Sequence, residues 1–344
     1  MKTILVLLSF TILLGFCSIS NAQTAEYKVV NKFHIEGDEG WDALTIDEPN
    51  ARIFISHGSM VQAVDEATGN VAGTISGLMR VHGIALASDF SKGFISNGGD
   101  SSITVFDMKT LTAMDKINAT GRNPDAIMYD SYSHKVFVFN GGSNNATVID
   151  AATNAVLGTI ALDGKPEFAA ADGKGKVYIN LEDKGMVSVI NSSAMTVEKT
   201  WSLAPGEEPS GIAIDKETRR LFIACSNKLM VIVDADNGSI VTTVPIGDRV
   251  DGADFDPGMK RAFSPNGEGT LTVIKETDKN TFSVVQTAET QKGARTIAVD
   301  TKTHHIFLPT AEFDDPPPPT QDNPHPRPKM KPGTFVILDV APVK

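Results

Sequence analysis

Seven residues able to bind ligands or exchange protons recur at nearly constant spacing: Asp42, His82, Asp125, Glu167, Ser210, Asp251 and Arg295, with gaps of 40, 43, 42, 43, 41 and 44. If the fold brings them together, four carboxylates and one guanidinium leave a formal charge of −3 beside a neutral imidazole and a hydroxyl. Converging carboxylates repel one another and favour a bound proton, a bound cation or a polyol that donates hydrogen bonds. Oxygen donors at variable distances suit Ca2+, so Asp42, Asp125, Glu167 and Asp251 form a candidate calcium set. A water-filled funnel, with its acids bonded to solvent and backbone amides, is the plainer reading and is favoured. A second set occupies a later position in each repeat: His57, Asn97, Asn140, Leu181, Cys225, Asn266 and Thr310. His57 and His82 near carboxylates could supply an acid and a base, or metal ligands; unrelated polar substitutions at a wet mouth are the alternative. Asn97, Asn140 and Asn266 each precede glycine and are expected to shape turns. Cys225 is expected to pack as a small hydrophobe rather than to act as a nucleophile.

The stretch at residues 121–160, GRNPDAIMYDSYSHKVFVFNGGSNNATVIDAATNAVLGTI, shows what must position these groups. It reads as four short strands, DAIMYD, KVFVFN, ATVIDA and AVLGTI, with β-branched or aromatic residues at period two and turn residues between them. Four such strands make a small antiparallel sheet with two apolar faces, which cannot bury itself alone. Two further markers repeat with the ring. One is an aromatic: Phe54, Phe94, Phe137, Tyr178, Phe222, Phe263 and Phe307. The other ends the third strand: Asp65, Asp107, Asp150, Asn191, Asp234, Lys275 and Asp339. Seven four-stranded units with a period near forty predict an all-β, seven-bladed β-propeller. The last unit has three strands, and the orphan strand at residues 27–35 can supply its fourth and close the ring. In that geometry the first set lines the inner mouth of the channel, and the second set forms an outer ring on the same face.

The segments ATVIDAATNAVLGTI, YIN, IFISHG, MVSVINSSAMTVEKTW and GEEPSGIAID resemble the YVTN-type β-propeller repeat family over about residues 27–344. The resemblance implies the propeller fold, and its nearest kin would be exported bacterial seven-bladed proteins with a late Pro-rich loop. Proline of the family unit is kept at Pro124, Pro166 and Pro209 but replaced by Trp41, Val81, Val250 and Ala294, and Lys275 stands where a turn Asp is usual. Members share blades rather than one activity, so the resemblance speaks to fold.

Residues 1–22 read as a signal peptide, with Lys2, an apolar core over residues 4–16 and a small-residue cleavage site at Ser20-Asn21-Ala22. Export to the periplasm or medium is expected, with the propeller domain spanning residues 23–344. Loss of Cys17 leaves Cys225 alone, so no intrachain disulfide is expected. The formal charge of −11 disfavours nucleic acid. No later apolar run is long enough to span a membrane, and a monomer is expected. An insertion at about residues 313–332 carries Pro316–Pro319, then Arg327, Lys329 and Lys331, and reads as a semi-rigid lid offering positive charge to an acidic mouth. His134, His304 and His305 fall on the opposite face, where solvation is expected. The combined expectation is an exported binding or scaffold protein that takes a small molecule, protein or peptide at one mouth. The alternative is a Ca2+-assisted hydrolase such as a lactonase, using the four carboxylates with His57 or His82 as base.

Overall fold

Each repeat folds as its period-two pattern requires. In the unit at residues 121–160 the strands are Pro124–Asp130, Lys135–Asn140, Asn145–Asp150 and Val156–Ala161, paired antiparallel in chain order. The computed structural model describes residues 26–320, 326 and 328–343. The expected leader at residues 1–22, and residues 321–325 and 327 of the insertion, lie outside them. Seven four-stranded sheets form among the described residues. Their innermost strands touch in succession around a closed circle, with Ala298–Asp300 of the last meeting Trp41–Asp47 of the first. The chain is a seven-bladed β-propeller.

The repeating aromatic is the centre of each blade: Phe54, Phe94, Phe137, Tyr178, Phe222, Phe263 and Phe307 are all buried. Apolar residues of neighbouring blades interleave, as where Phe137 and Phe139 pack with Val177 and Ile179. Each sheet therefore buries both faces only because its neighbours are present. At the third-strand turns Asp65, Asp107 and Asp150 accept from the backbone and hydroxyl of Thr68, Thr110 and Thr153, which fixes the turn. Lys275 replaces this Asp because its hairpin runs on: strand Thr270–Asp278 continues three residues past Lys275 and pairs with Thr281–Glu289 as far as Asp278 with Thr281.

The orphan strand, Glu26–His34, pairs with Val336–Val343 as the outer strand of the seventh blade. The innermost strands of the sixth and seventh blades, Asp254–Asp256 and Ala298–Asp300, are shorter than the others.

On the face opposite the mouth, three blades are tied to the one before by the residue of left-handed φ that precedes the second strand. Arg219, Lys260 and His304 occupy this place and reach back to a buried aspartate of the preceding blade: Arg219 to Asp172 at 2.8 Å, Lys260 to Asp215 at 3.1 Å and His304 to Asp256 at 2.7 Å. His305 similarly bonds buried Asp339 at 2.7 Å, so these two histidines are paired with carboxylates rather than simply solvated. His134 is exposed and contacts Tyr129 Oη at 3.0 Å.

Across the closing seam the equivalent residue is Ala51, which has no cation to offer. Asp300 instead shares a hydrogen bond with Glu66, and burial, then Asp300, Glu48 and Asp47, push the Glu66 carboxyl up to about 8. A carboxyl raised in this way contributes stability that is complete below its ordinary value near 4.5 and is lost as pH rises through about 8. Glu66→Gln keeps a donor toward Asp300 without the charge. It is expected to raise the melting temperature at pH 9, with little change at pH 5. Equal shifts at both pH values would contradict the shared proton.

Candidate functional site at the channel mouth

The inner-ring side chains point into the channel because the backbone is bulged beneath them. In five blades the ladder skips at that place: Trp41 pairs with His57 and the next pair is Leu44 with Ile55, and likewise after Val81, Pro124, Pro166 and Pro209. Two residues face one across a bulge, so Asp42, His82, Asp125, Glu167 and Ser210 are turned out of the sheet. Side chains from the second strand satisfy the freed backbone groups. Ser56 Oγ accepts from Ala43 N at 3.0 Å, Ser96 Oγ accepts from Gly83 N at 2.8 Å, and Asn180 Nδ2 donates to Ser210 O at 2.9 Å. Just below the ring the channel is tight and mostly apolar: Ala43, Leu44, Phe168, Ile212, Ala253 and Ile297 line a cavity of about 60 Å³. The mouth is a cup with a charged wall and an apolar floor.

The wall is not the uniformly acidic ring that the spacing suggests. His82 Nδ1 lies 2.6 Å from Asp42 Oδ2 and 3.4 Å from Asp125 Oδ1. Burial alone would lower the His82 pKa, but the Asp42 hydrogen bond and the charges of Asp125 and Asp42 outweigh it, and the net shift is upward. The two carboxylates thus favour the protonated form of the His82 ring. Lys165, outside the sevenfold set, places its ammonium 2.6 Å from Glu167 and also against Glu182. Burial opposes the Lys165 charge, yet those two carboxylates hold it above the ordinary lysine range. Burial pushes Glu167 upward, with Asp125 and Glu182 adding to the shift and Lys165 opposing it. Arg295 Nε lies 3.3 Å from Asp251, whose carboxyl burial raises to about 6 against the pull of Arg295. Ser210 Oγ donates to Val250 O at 3.4 Å. The four carboxylates therefore fall into separate pairings, and only Asp42 and Asp125 converge on one point. The chain also brings exposed Arg80 close enough to act on both His82 and Asp125. Lys165 and Arg80 each sit two residues before a ring position, so a ruler that tracked one column missed both.

The outer set does other work. Asn97, Asn140 and Asn266 are buried and donate to side chains at the start of the third strand, as Asn140 Nδ2 does to Asn145 Oδ1 at 2.8 Å and Thr147 Oγ1 at 3.0 Å. His57 holds the same place in the first blade and bonds Gln62 Oε1 at 2.8 Å. It is fully buried, its ring packs on Phe335 at 4.3 Å, and among the described residues none of its hydrogen-bond or ring partners is an inner-ring residue. His57 and His82 are therefore not an acid–base pair. Leu181 and Cys225 are also buried, and burial pushes the Cys225 thiol up to about 12, far from a nucleophile's range. Thr310 Oγ1 donates to Lys292 O at 2.7 Å.

The insertion leaves the seventh blade as a short two-stranded stem. Asp314 N donates to Lys329 O at 2.9 Å, and Lys331 N to Glu312 O at 2.8 Å. Phe313 and Met330 pack on the cluster containing Trp41, the neighbour of Asp42, and Gly333 N donates to Asp38 Oδ1 at 2.7 Å. Beside the stem a groove of about 730 Å³ is lined by Arg249, Lys292, Phe313, Asp314, Pro316 and Lys331, among others.

No protein-family model and no curated protein matches the chain. Among solved structures, the chain is similar to one titled "Crystal structure of RRP9 WD40 repeats", with a TM-score of 0.76 at 8% identity over 92% of this chain and 99% of that one. "Structure of U3-55K" gives 0.75 at 8% identity over 91% and 99%. A chain of "Crystal Structure of Mitotic Checkpoint Complex" gives 0.75 at 10% identity over 99% of each. At these identities the likeness is one of fold. Among the described residues no helix is long and apolar enough to cross a membrane.

Proposed function

We propose that this chain is an exported β-propeller binding protein of the YVTN-repeat type, acting in the periplasm or medium. Its inner mouth takes a small polar molecule, or a charged side chain presented by a partner. The observation that carries this reading is the cup itself. Half-buried Asp42, His82, Asp125 and Glu167 are turned into one mouth by backbone bulges and joined there by Asp251, over a floor too tight for more than a small group. Desolvated charges of both signs give orientation and specificity to a ligand bearing both signs. Membership of one similar chain in an assembly, by its printed title, supports the partner form of the reading. The basic stem residues Lys329 and Lys331 serve as a lid beside this mouth. The lactonase alternative is less well supported, since His57 is buried away from the ring and only His82 is left as a base.

The test is calorimetric titration with free amino acids, short peptides, polyols and lactones. A hit at the mouth is expected to weaken at least about tenfold in Arg295→Ala and in Glu167→Gln, each of which removes a charge-assisted contact. The hit should be unaffected by Asn97→Ser, which changes the outer set. Binding unchanged by either ring substitution would remove the mouth as the site, and lactone turnover would restore the enzyme reading.

A further inference from the structure

We infer that Asp42, His82 and Asp125 form a binding site for a divalent transition-type cation, of which Zn2+ is the reference case. The inference does not depend on which ligand the cup takes. The three side chains come from consecutive blades, and one donor atom from each lies within 4.8 Å of the other two. The side chains expose 13% (His82), 23% (Asp42) and 24% (Asp125) of their surface, so the donors are largely shielded from water. Zn2+ holds nitrogen and oxygen ligands at about 2.0–2.1 Å, and tetrahedral angles then set neighbouring donors about 3.4 Å apart. The His82–Asp125 separation is already 3.4 Å, and His82–Asp42 at 2.6 Å has to open by less than an ångström. An imidazole among the donors suits Zn2+, Co2+, Cu2+ or Ni2+ better than Ca2+. The calcium set expected from the sequence also lacks two of its members, because Glu167 is held by Lys165 and Asp251 by Arg295.

A second observation points the same way. A histidine that ligates through Nδ1 commonly donates its Nε2–H to a carbonyl or carboxylate, which fixes the ring. His82 Nε2 is buried without a partner among the described residues, and so is Asn123 Oδ1. Both crowd the same glycine: a Cβ built on Gly98 would lie 2.6 Å from His82 Nε2 and 2.8 Å from Asn123 Oδ1. The two atoms are thus at most 5.4 Å apart (2.6 plus 2.8 Å), with complementary donor and acceptor character. A small movement of either side chain makes Asn123 the outer partner of a ligating His82. Gly98 is the residue that leaves room for it.

Binding requires the Nδ1 lone pair, so the proton now shared with Asp42 leaves as the cation enters. Two carboxylates and the neutral imidazole balance the 2+ charge, and the remaining coordination position goes to solvent or ligand.

The experiment uses the folded chain freed of metal by chelator and then dialysed. Zn2+ is titrated by calorimetry, and Co2+ by its visible absorption. One equivalent of each is expected to bind, with a rise in melting temperature. Asp125→Asn and His82→Ala should weaken Zn2+ at least about tenfold, and Gly98→Ala, which displaces His82 without removing a ligand, by about tenfold. Glu198→Gln, which neutralises an exposed carboxylate on the outer strand of the fourth blade, should leave Zn2+ affinity unchanged. Wild-type binding of Ca2+ but not Zn2+ or Co2+ would overturn the proposal. So would Zn2+ binding that survives Asp125→Asn, or no binding of any of the three. If His82→Ala does not fold, the Co2+ spectra of wild type and Asp125→Asn give the same decision.

Discussion

A chain lacking residues 26–34 is expected to aggregate, or to melt far below the intact protein. That strand donates its backbone to Val336–Val343 along most of its length, from Glu26 opposite Val343 to His34 opposite Val336. Removing it leaves a long unpaired edge on the seventh blade, a ready template for another chain. It also strips apolar cover from the seams on both sides of that blade. Tyr27 is 2% exposed and packs edge-on against Phe263 of the sixth blade at 5.2 Å, while Phe33 enters the cluster shared with the first. Gln286 clamps Tyr27 by accepting from its N and donating to its O, both at 2.8 Å. Burying two such aromatics is worth about 1.5–3 kcal/mol each. Against a total stability of roughly 5–15 kcal/mol, losing both together with the strand's hydrogen bonds removes much of the margin. Tyr27→Ala, a milder change, is expected to cost about 3–5 kcal/mol. Chemical denaturation of the point variant and light scattering of the deletion are the measurements. A deletion that stays monomeric with an unchanged melt would mean the ring does not depend on this strand.

Arg219→Ala is expected to destabilise by about 3 kcal/mol, the typical loss when a buried ion pair is deprived of one partner. Arg219 donates to Asp172 at 2.8 Å, to Asp236 at 2.9 Å and to Tyr178 Oη at 3.0 Å, joining the fourth and fifth blades. Asp172 has 2% of its side chain exposed, and without the guanidinium it keeps only the backbone donors of Lys174 and Lys176. Asp172→Asn added to Arg219→Ala is expected to recover part of the loss, because the orphaned charge goes with it. Urea denaturation of the two single variants and the double checks this. Additive losses would show that the two residues act independently.

The fold was legible because the sequence states it seven times over. Strand edges, buried aromatics and turn aspartates all repeat at one period, and any copy that drifts is corrected by the other six. Lys275 looked like a fault in the pattern and proved to be a longer hairpin. The site was legible only by position. Spacing placed Asp42, His82, Asp125, Glu167, Ser210, Asp251 and Arg295 around one mouth, but it could not say which neighbours would pair. Pairing depends on side-chain reach and burial, which is how Lys165 came to hold Glu167 and why Asp42 and Asp125 shift the His82 pKa upward. His57 failed for a related reason. A polar residue at the end of a strand can serve the turn beside it, and Gln62, five residues on, was the partner to look for.

The bulges beneath the mouth also bear on how such a protein can change over time. A side chain in a regular strand position answers to the packing of a sheet face, and a substitution there disturbs two blades. A bulged residue belongs to neither face, and second-strand Ser and Asn side chains, not the ring residue, satisfy the backbone around it in the first, second and fifth blades. The mouth is therefore a circle of interchangeable sockets on a fixed frame. Inheritance can redraw its chemistry one residue at a time while the ring beneath stays closed.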